Sequence, residues 1–186
     1  MKVIYLHHQE NELIKLATEN NRQAQQQIYT HFSPKMLGVC RQYIKDIHQA
    51  EDIMITAFMK VFVNIKNFEN KGSFEGWIRR IMVNECISFI RVQKKIKYVE
   101  DETYFEESFN NIESQFSTDD IQSLIDSLPD GYKTVFNLYA IEGFKHKEIA
   151  SMLEINEGTS KSQLSHARKI LQTQINKLKN YEYGTE

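Results

Sequence analysis

Residues 143–171 carry side chains that can form hydrogen bonds and ion pairs with a DNA duplex. Their spacing predicts a short amphipathic helix at 148–153, a turn at 156–158 and a second helix with Thr159 as its N-cap. Two short helices joined by a tight turn form a helix-turn-helix arrangement. At about 100° per residue, the second helix points small and apolar residues inward: Ser160, Leu164, Ala167 and Leu171. Polar and cationic residues occupy its outer face and flanks: Thr159, Lys161, Ser162, Gln163, Ser165, His166, Arg168 and Lys169.

This outer face has the chemistry that a DNA major groove requires. Lys, Ser and Gln can bond base edges, while Arg168 and Lys169 can neutralise phosphates. The purely structural alternative is a four-helix domain whose polar face contacts water. His166 alone is not evidence, because a surface histidine is more frequent than a base-reading one. The whole pattern predicts duplex recognition.

A second cationic segment lies between residues 65 and 95. Its polar loop combines cations, amides and an aromatic ring: Lys66, Asn67, Phe68, Asn70 and Lys71. The helix predicted at 74–95 has an apolar inward face made of Phe74, Trp77, Ile78, Ile81 and Phe89. Its other face is polar: Arg80, Asn84, Ser88, Arg91 and Lys95. Such a mixture suits single-stranded nucleic acid, because bases stack on rings while cations follow phosphates. The alternatives are a core position for Trp77, which its spacing favours, and a solvated surface for the cations.

The helix predicted at 48–65 has two apolar faces. One is the broad stripe of a core-facing helix. The other contains Ile55, Met59 and Val63 at i, i+4 and i+8, beside Asp52 and Thr56. This second face indicates either a docking site for a partner or a central helix that its neighbours cover.

The elements that carry these residues are predicted to be helical throughout. The chain has 7 Gly and 2 Pro in 186 residues, where average usage would give roughly 22. That scarcity leaves few turns for a sheet protein and predicts an all-α fold. Further helices are predicted at 12–18 and 24–32, with a new helix starting at Ser33-Pro34. The second domain is predicted to contain four short helices, broken at 129–131, at Gly143 and at Gly158.

The distribution of charge divides the chain into three parts. Residues 1–97 hold 15 Lys and Arg against 9 Asp and Glu, whereas residues 98–130 hold 10 acidic residues and no Lys or Arg. The sequence therefore predicts two small helical domains, 1–97 and 120–186, joined by a flexible acidic linker at 98–119. The aromatic residues in that linker leave open whether it is a plain spacer or docks into a basic groove.

Other classes of protein have little support. The six histidines lack metal-ligand spacing and no carboxylates cluster on one helix face, so we expect neither an enzyme nor a cofactor or metal. Cys40 and Cys86 are isolated in the sequence, which indicates a reducing cytoplasm. No apolar run is long enough to insert into a membrane, and the N-terminus has no signal peptide.

Residues 128–171 resemble the fourth-region domain of bacterial RNA polymerase sigma factors, and residues 49–91 resemble their second-region domain. Both domains in one short chain, without a third-region domain, resemble the extracytoplasmic-function (ECF) branch. The resemblance implies a sigma factor that gives RNA polymerase promoter specificity, with core polymerase, promoter DNA and an anti-sigma factor as partners.

The resemblance also implies roles for the residues described above. The helix at 48–65 would contact the polymerase clamp helices through Asp52, Ile55, Thr56 and Met59. The loop and helix at 65–91 would melt the minus-ten element, and the helix after Thr159 would read the minus-thirty-five duplex with its domain on the polymerase flap. The acidic linker would run toward the RNA exit path. Several residues depart from the family's usual types: Ile55, Thr56, Ser88, Glu154, Ser160, Gln163 and His166.

A different function fits the C-terminal half alone. A stand-alone helix-turn-helix regulator would use its N-terminal domain to dimerise or to sense a ligand, and would bind palindromic half-sites. That alternative and the sigma factor differ in whether core polymerase is needed for promoter recognition.

Overall fold

Helices form the secondary structure of both stretches that the structure, a computed structural model, describes: residues 2–100 and 118–182, with side chains in 10–93 and 122–176. Within these stretches no strand is present, so the predicted all-α fold is confirmed. The chain divides into two compact units, residues 1–95 and residues 96–186. Most of the predicted linker, residues 101–117, lies outside the described residues. No helix in the described part of the chain is long and apolar enough to span a membrane.

The first unit contains four α-helices in its described residues. They are α1 (Lys2–Thr18), α2 (Arg22–Arg41), α3 (Ile47–Asn64) and α4 (Phe74–Glu100), with a 3-10 turn (Ile65–Asn67) after α3. Asn21 caps α2 by accepting a hydrogen bond from the Ala24 amide at 3.1 Å. Asp46 caps α3 in the same way, through the Gln49 amide at 2.8 Å. These caps fix where α2 and α3 begin. At the other end of the unit, α4 continues past residue 95, where its end was predicted.

The predicted helix start at Ser33-Pro34 is wrong, because α2 runs through Pro34 without a break. An interior proline removes one hydrogen bond and costs about 3 kcal/mol. Phe32 and Met36, on either side of it, are both buried in the core of the unit. Pro34 and Thr30, whose carbonyl lacks the helical partner, both lie on the exposed side. Burial of the apolar face on both sides of Pro34 keeps the helix continuous, and water can reach the orphaned carbonyl.

The second unit contains α5 (Thr118–Asp126), α6 (Asp130–Phe136), a π-helical turn (Asn137–Ile141), α7 (His146–Leu153) and α8 (Glu157–Glu182). The predicted break at Gly143 is confirmed, whereas the break predicted at 129–131 lies slightly earlier, between Asp126 and Asp130, because Asp130 and Gly131 belong to α6. The third break is earlier than predicted: Glu154 adopts a left-handed conformation with φ 55° and ends α7, whereas Gly158 lies inside α8. Thr159 is therefore within the first turn of α8 and is not its N-cap.

An ion pair between a buried lysine and a partly exposed aspartate joins α5 to α6. The Lys133 ammonium lies 2.5 Å from a carboxylate oxygen of Asp126, and the Lys133 side chain is only 5% exposed. Gln122 donates to the other Asp126 oxygen at 3.3 Å. The core cluster of this unit consists of apolar residues from α5, from the turn after it and from α8: Leu124, Ile125, Leu128, Ala167 and Leu171. The second unit therefore has its own core, and α8 forms one wall of it.

Candidate nucleic-acid interface

The outer face of α8 is exposed as its helical spacing predicted. Ser160, Leu164, Ala167 and Leu171 are buried on the inner face. Six of the predicted DNA-contacting residues are exposed and two, Thr159 and Gln163, are half-buried. The exposed ones are Lys161, Ser162, Ser165, His166, Arg168 and Lys169. The structure therefore brings these residues together on one surface.

The first turns of α8 are held by local polar contacts. The Lys161 ammonium lies 2.7 Å from the Glu157 carboxylate, one helical turn earlier. The hydrogen bond from Lys161, together with its charge, lowers the pKa of the Glu157 carboxyl below its usual value. Ser162 donates to the Thr159 carbonyl at 3.0 Å. Since both side chains of the ion pair are largely exposed, Lys161 can exchange Glu157 for a DNA phosphate or base at little cost.

Two predicted DNA-contacting residues pack on aromatic rings of their own unit. The His166 ring stacks on Tyr132 with 5.5 Å between centroids and 17° between planes. The Arg168 guanidinium carbon lies 5.5 Å from the centre of the Tyr139 ring. Tyr132 and Tyr139 are seven residues apart, two helical turns, and that spacing was the signal that could have identified them from the sequence. Both residues were missed as supports of the recognition helix.

The loop between α3 and α4 presents a compact group of aromatic rings. Phe74 and Trp77 stack at 5.7 Å with 15° between their planes, and Phe68 lies 5.1 Å from Phe74 and 5.6 Å from Trp77. Phe74 is buried, whereas Phe68 and Trp77 are half-buried. Trp77 is therefore partly a core residue, as its spacing favoured, but its ring also reaches the surface beside the loop.

The cations of that loop are exposed. Lys66, Asn67, Asn70 and Lys71 all lie on the surface, and Lys71 pairs with Glu69 at 2.6 Å. Asn70 and Gly72 have positive φ angles of 55° and 118°. Left-handed backbone is reached readily by Gly and less often by Asn. The two residues turn the chain sharply within the cationic loop.

The α4 face beyond the loop is only partly as predicted. Arg80, Asn84 and Ser88 are exposed and Arg91 is half-buried, while the Lys95 side chain lies outside the described residues. Of the predicted inward residues, Phe74 and Ile78 are buried, but Trp77, Ile81 and Phe89 are only half-buried. The helix buries four other residues instead: Met82, Val83, Cys86 and Ile87. The core-facing stripe is thus rotated from the predicted one because it follows the packing against α2 and α3.

The second apolar face of α3 is not covered by any described residue. Ile55, Met59 and Val63 are 48%, 66% and 80% exposed. Asp52 and Thr56 are exposed beside them, and the Thr56 hydroxyl donates to the Asp52 carbonyl at 2.9 Å. Lys60, on the same helix, pairs with Glu85 of α4 at 2.7 Å. Of the two sequence interpretations, the central covered helix is therefore wrong for the described residues.

Two thiols that are distant in the sequence meet in the core of the first unit. Cys40 of α2 and Cys86 of α4 are both fully buried and form a side-chain hydrogen bond. That hydrogen bond and burial raise the pKa of Cys86 far above its usual value. The two cysteines, which are isolated in the sequence, are therefore neighbours in the folded first unit. Among the described residues no group of three or more His, Cys, Asp or Glu could hold a metal ion.

Comparison with known proteins assigns both units to one class. Residues 28–96 match the family "Sigma-70 region 2" and residues 118–171 match "Sigma-70, region 4". These matches define a two-domain sigma factor of the sigma-70 class, in which the aromatic loop lies in region 2 and the helix-turn-helix in region 4.

The curated relatives identify the branch of that class. The chain is 32% identical over 135 residues to the RNA polymerase sigma factor SigV of Bacillus subtilis, covering 73% of this chain and 81% of SigV. It is 30% identical over 180 residues to the ECF RNA polymerase sigma factor SigW of the same organism, covering 89% of this chain and 96% of SigW. The chain belongs to the ECF family of RNA polymerase sigma factors, which are transcription initiation factors and not catalytic subunits.

Proposed function

We propose that this sigma factor binds core RNA polymerase through α3, holds the opened minus-ten strand on the loop at 65–73, and reads the minus-thirty-five duplex with α8. The observation that carries the proposal is the separation of two exposed cationic surfaces onto two independent units. One surface carries half-buried aromatic rings suited to unstacked bases, and the other is a helix face suited to a paired groove.

The α8 surface supports duplex recognition. Gln163 is half-buried at the edge of this surface, and its side-chain amide can bond a base edge. Lys161, Ser162, Ser165 and Lys169 project into the same exposed space. Since His166 and Arg168 pack on tyrosine rings, they contribute to the position of the helix as well as to DNA contact.

The loop surface supports strand opening. A base that leaves the duplex loses stacking, and an aromatic side chain can replace about 1–3 kcal/mol of it. Phe68 and Trp77 offer half-buried rings for this purpose, and Lys66 and Lys71, two and three residues from Phe68 in the chain, are exposed. Arg80 and Asn84, on the next turns of α4, extend the polar surface along the path of the strand.

The uncovered apolar face of α3 supports the polymerase contact. Ile55, Met59 and Val63 form a continuous apolar strip that is too exposed to contribute to the core of the unit. Such strips mark sites that a partner covers. Asp52, exposed at the edge of the strip, provides a charge that can pair with a cation of the clamp helices.

Further parts of the proposal follow from membership in the family. The protein acts in the cytoplasm, has no enzymatic activity of its own and requires no cofactor. An anti-sigma factor is a further partner that holds it inactive. The near-neutral net charge of −2 predicts weak binding of the free protein to DNA, with the polymerase supplying most of the cationic surface.

Run-off transcription tests the proposal. Purified protein is added to core polymerase that lacks any sigma factor, on a promoter defined by mapping 5′ transcript ends after overproduction. Promoter-specific transcripts support the sigma factor. No transcripts, together with tight dimeric binding of the free protein to a palindromic duplex, would support the stand-alone helix-turn-helix regulator instead.

A further inference from the structure

The two helices of the helix-turn-helix are joined by a polar contact inside the second unit. The Nδ1 atom of His146, at the start of α7, lies 3.0 Å from the hydroxyl oxygen of Ser160 in the first turn of α8. Ser160 is fully buried, with 0% of its surface exposed, and His146 is half-buried. The contact therefore lies behind the DNA-facing surface and not on it.

The same imidazole ring also packs on the turn that precedes α7. It stacks on Tyr139 with 4.7 Å between centroids and 24° between planes. Tyr139 in turn contacts the guanidinium of Arg168 on α8. Ser160 and Arg168 are eight residues apart, about 12 Å along the helix axis. The α8 helix is thus attached to His146 and Tyr139 at two well-separated points.

Directional polar contacts of this kind fix the rotation of a helix, which apolar packing alone does not fix. Leu164 and Ala167 are buried between the two attachment points, but apolar contacts have no preferred angle and tolerate small rotations of a helix. A hydrogen bond to a fully buried hydroxyl tolerates little rotation, because it requires a narrow range of distance and angle. The polar contact selects one rotation of α8 about its axis.

We propose that His146 and Ser160 are positioning residues for promoter recognition: without touching DNA, they set the angle at which the α8 face meets the minus-thirty-five duplex. The inference rests on the proposed function of α8 and deepens it. Loss of either partner lets α8 rotate or tilt slightly, so that its side chains no longer match the base edges. Discrimination between upstream elements is lost before the fold is lost.

The test compares transcription from two promoters that differ only in the upstream element, one native and one with that element replaced. Full-length wild type, Ser160→Ala, His146→Phe, His146→Asn and the double variant Ser160→Ala with His146→Phe are each assembled with core polymerase. Ser151→Ala is the matched control, because Ser151 is an exposed serine on α7 outside the contact. Thermal unfolding of each variant is followed by circular dichroism.

We expect Ser160→Ala and His146→Phe each to lower the native-to-replaced ratio by about five-fold or more, and the double variant to lower it no further, since the two residues act as one unit. Transcription from the replaced promoter stays within about two-fold of wild type, because the first unit and the polymerase support it. His146→Asn, whose amide can reach Ser160, retains more of the ratio than His146→Phe, which keeps the ring and loses the hydrogen bond.

Three results would overturn the inference alone, and a fourth would overturn it together with the proposed function. An unchanged native-to-replaced ratio in Ser160→Ala and His146→Phe would show that the two residues have no positioning role. Equal losses of transcription from both promoters, with a lower unfolding temperature, would indicate a purely structural contact. Equal ratios in His146→Asn and His146→Phe show that the hydrogen bond is not what positions α8. A ratio near one in wild type and in Ser151→Ala would instead overturn the proposed function of α8, and the inference with it.

Discussion

Replacement of Met59 by glutamine tests whether the uncovered face of α3 binds core polymerase. Met59 is 66% exposed, at the centre of the strip formed with Ile55 and Val63. Glutamine has a similar length and a similarly high helix propensity, so the change removes apolar surface and leaves the helix intact. We expect Met59→Gln to weaken binding to core polymerase and to leave the stability of the free protein unchanged.

The size of the effect follows from the exposed fraction. Complete burial of a methionine side chain contributes about 1.5–3 kcal/mol. Because Met59 is already one-third buried in the free protein, the partner can bury the remainder, which is about 1–2 kcal/mol. That free energy corresponds to about a 5- to 30-fold increase in Kd.

Val92→Gln is the matched control. Val92 is also apolar and 56% exposed, but it lies on α4, outside the α3 strip. Each variant is labelled and titrated with core polymerase in fluorescence anisotropy at about 150 mM salt, where long-range charge effects are screened. Unfolding in urea, followed by the fluorescence of Trp77, the single tryptophan, checks that the first unit remains intact.

We expect Val92→Gln to bind like wild type. The reasoning is refuted if Met59→Gln also keeps the wild-type Kd to within about two-fold, or if both variants weaken binding equally. The second outcome would show that general hydrophobicity of the unit, and not the α3 strip, contributes to the contact.

Three further predictions concern the recognition helix and the two cores. Gln163→Ala should remove a base contact worth about 1–3 kcal/mol and so lower run-off transcription only from promoters with the matching upstream element. An equal loss on all promoters would indicate a folding defect. Asp126→Asn should destabilise the second unit by about 2 kcal/mol, because it leaves the buried Lys133 ammonium without its counter-charge. Lys133→Met should be nearly neutral, because it removes that charge. Hydrogen exchange of α6 amides measures both effects, and similar losses of stability in the two variants would contradict this account. Cys40 and Cys86 should not react with a thiol reagent in the native protein, because both are fully buried and the raised pKa of Cys86 keeps its thiol protonated. Both should react in denaturant. Rapid labelling of the native protein would contradict this prediction.

Helical periodicity alone was sufficient for the class of fold and for the main surfaces. The exposure of Met59 on one side of α3, and of Ser165 on the outer side of α8, follows from spacing within a single helix. Such a pattern depends only on the 3.6-residue repeat, so no knowledge of the neighbouring elements is needed. The two family resemblances were also visible in the sequence, because each covers a continuous stretch of residues.

Boundaries of helices were predicted less well where local and tertiary preferences disagree. Locally, Ser33-Pro34 is a helix start, yet burial of Phe32 and Met36 on one face carries α2 through it. Thr159 is a good N-cap by type, but α7 ends at the left-handed Glu154 and leaves room for α8 to begin two residues before Thr159. At Pro34 a local cost of about 3 kcal/mol was outweighed by packing, whereas at Thr159 the earlier end of α7 moved the start of α8.

Contacts between distant positions were decided by the tertiary structure alone. Cys40 and Cys86 lie 46 positions apart and meet only because α2 packs near α4. His146 and Ser160 meet because the turn between α7 and α8 sets their crossing. A linear pattern tells which side of its own helix a residue occupies, but the rotation of one helix against another depends on the summed packing of both. For that reason the sequence by itself determined the helices and their exposed faces, whereas the polar contact that orients the recognition helix required the folded structure.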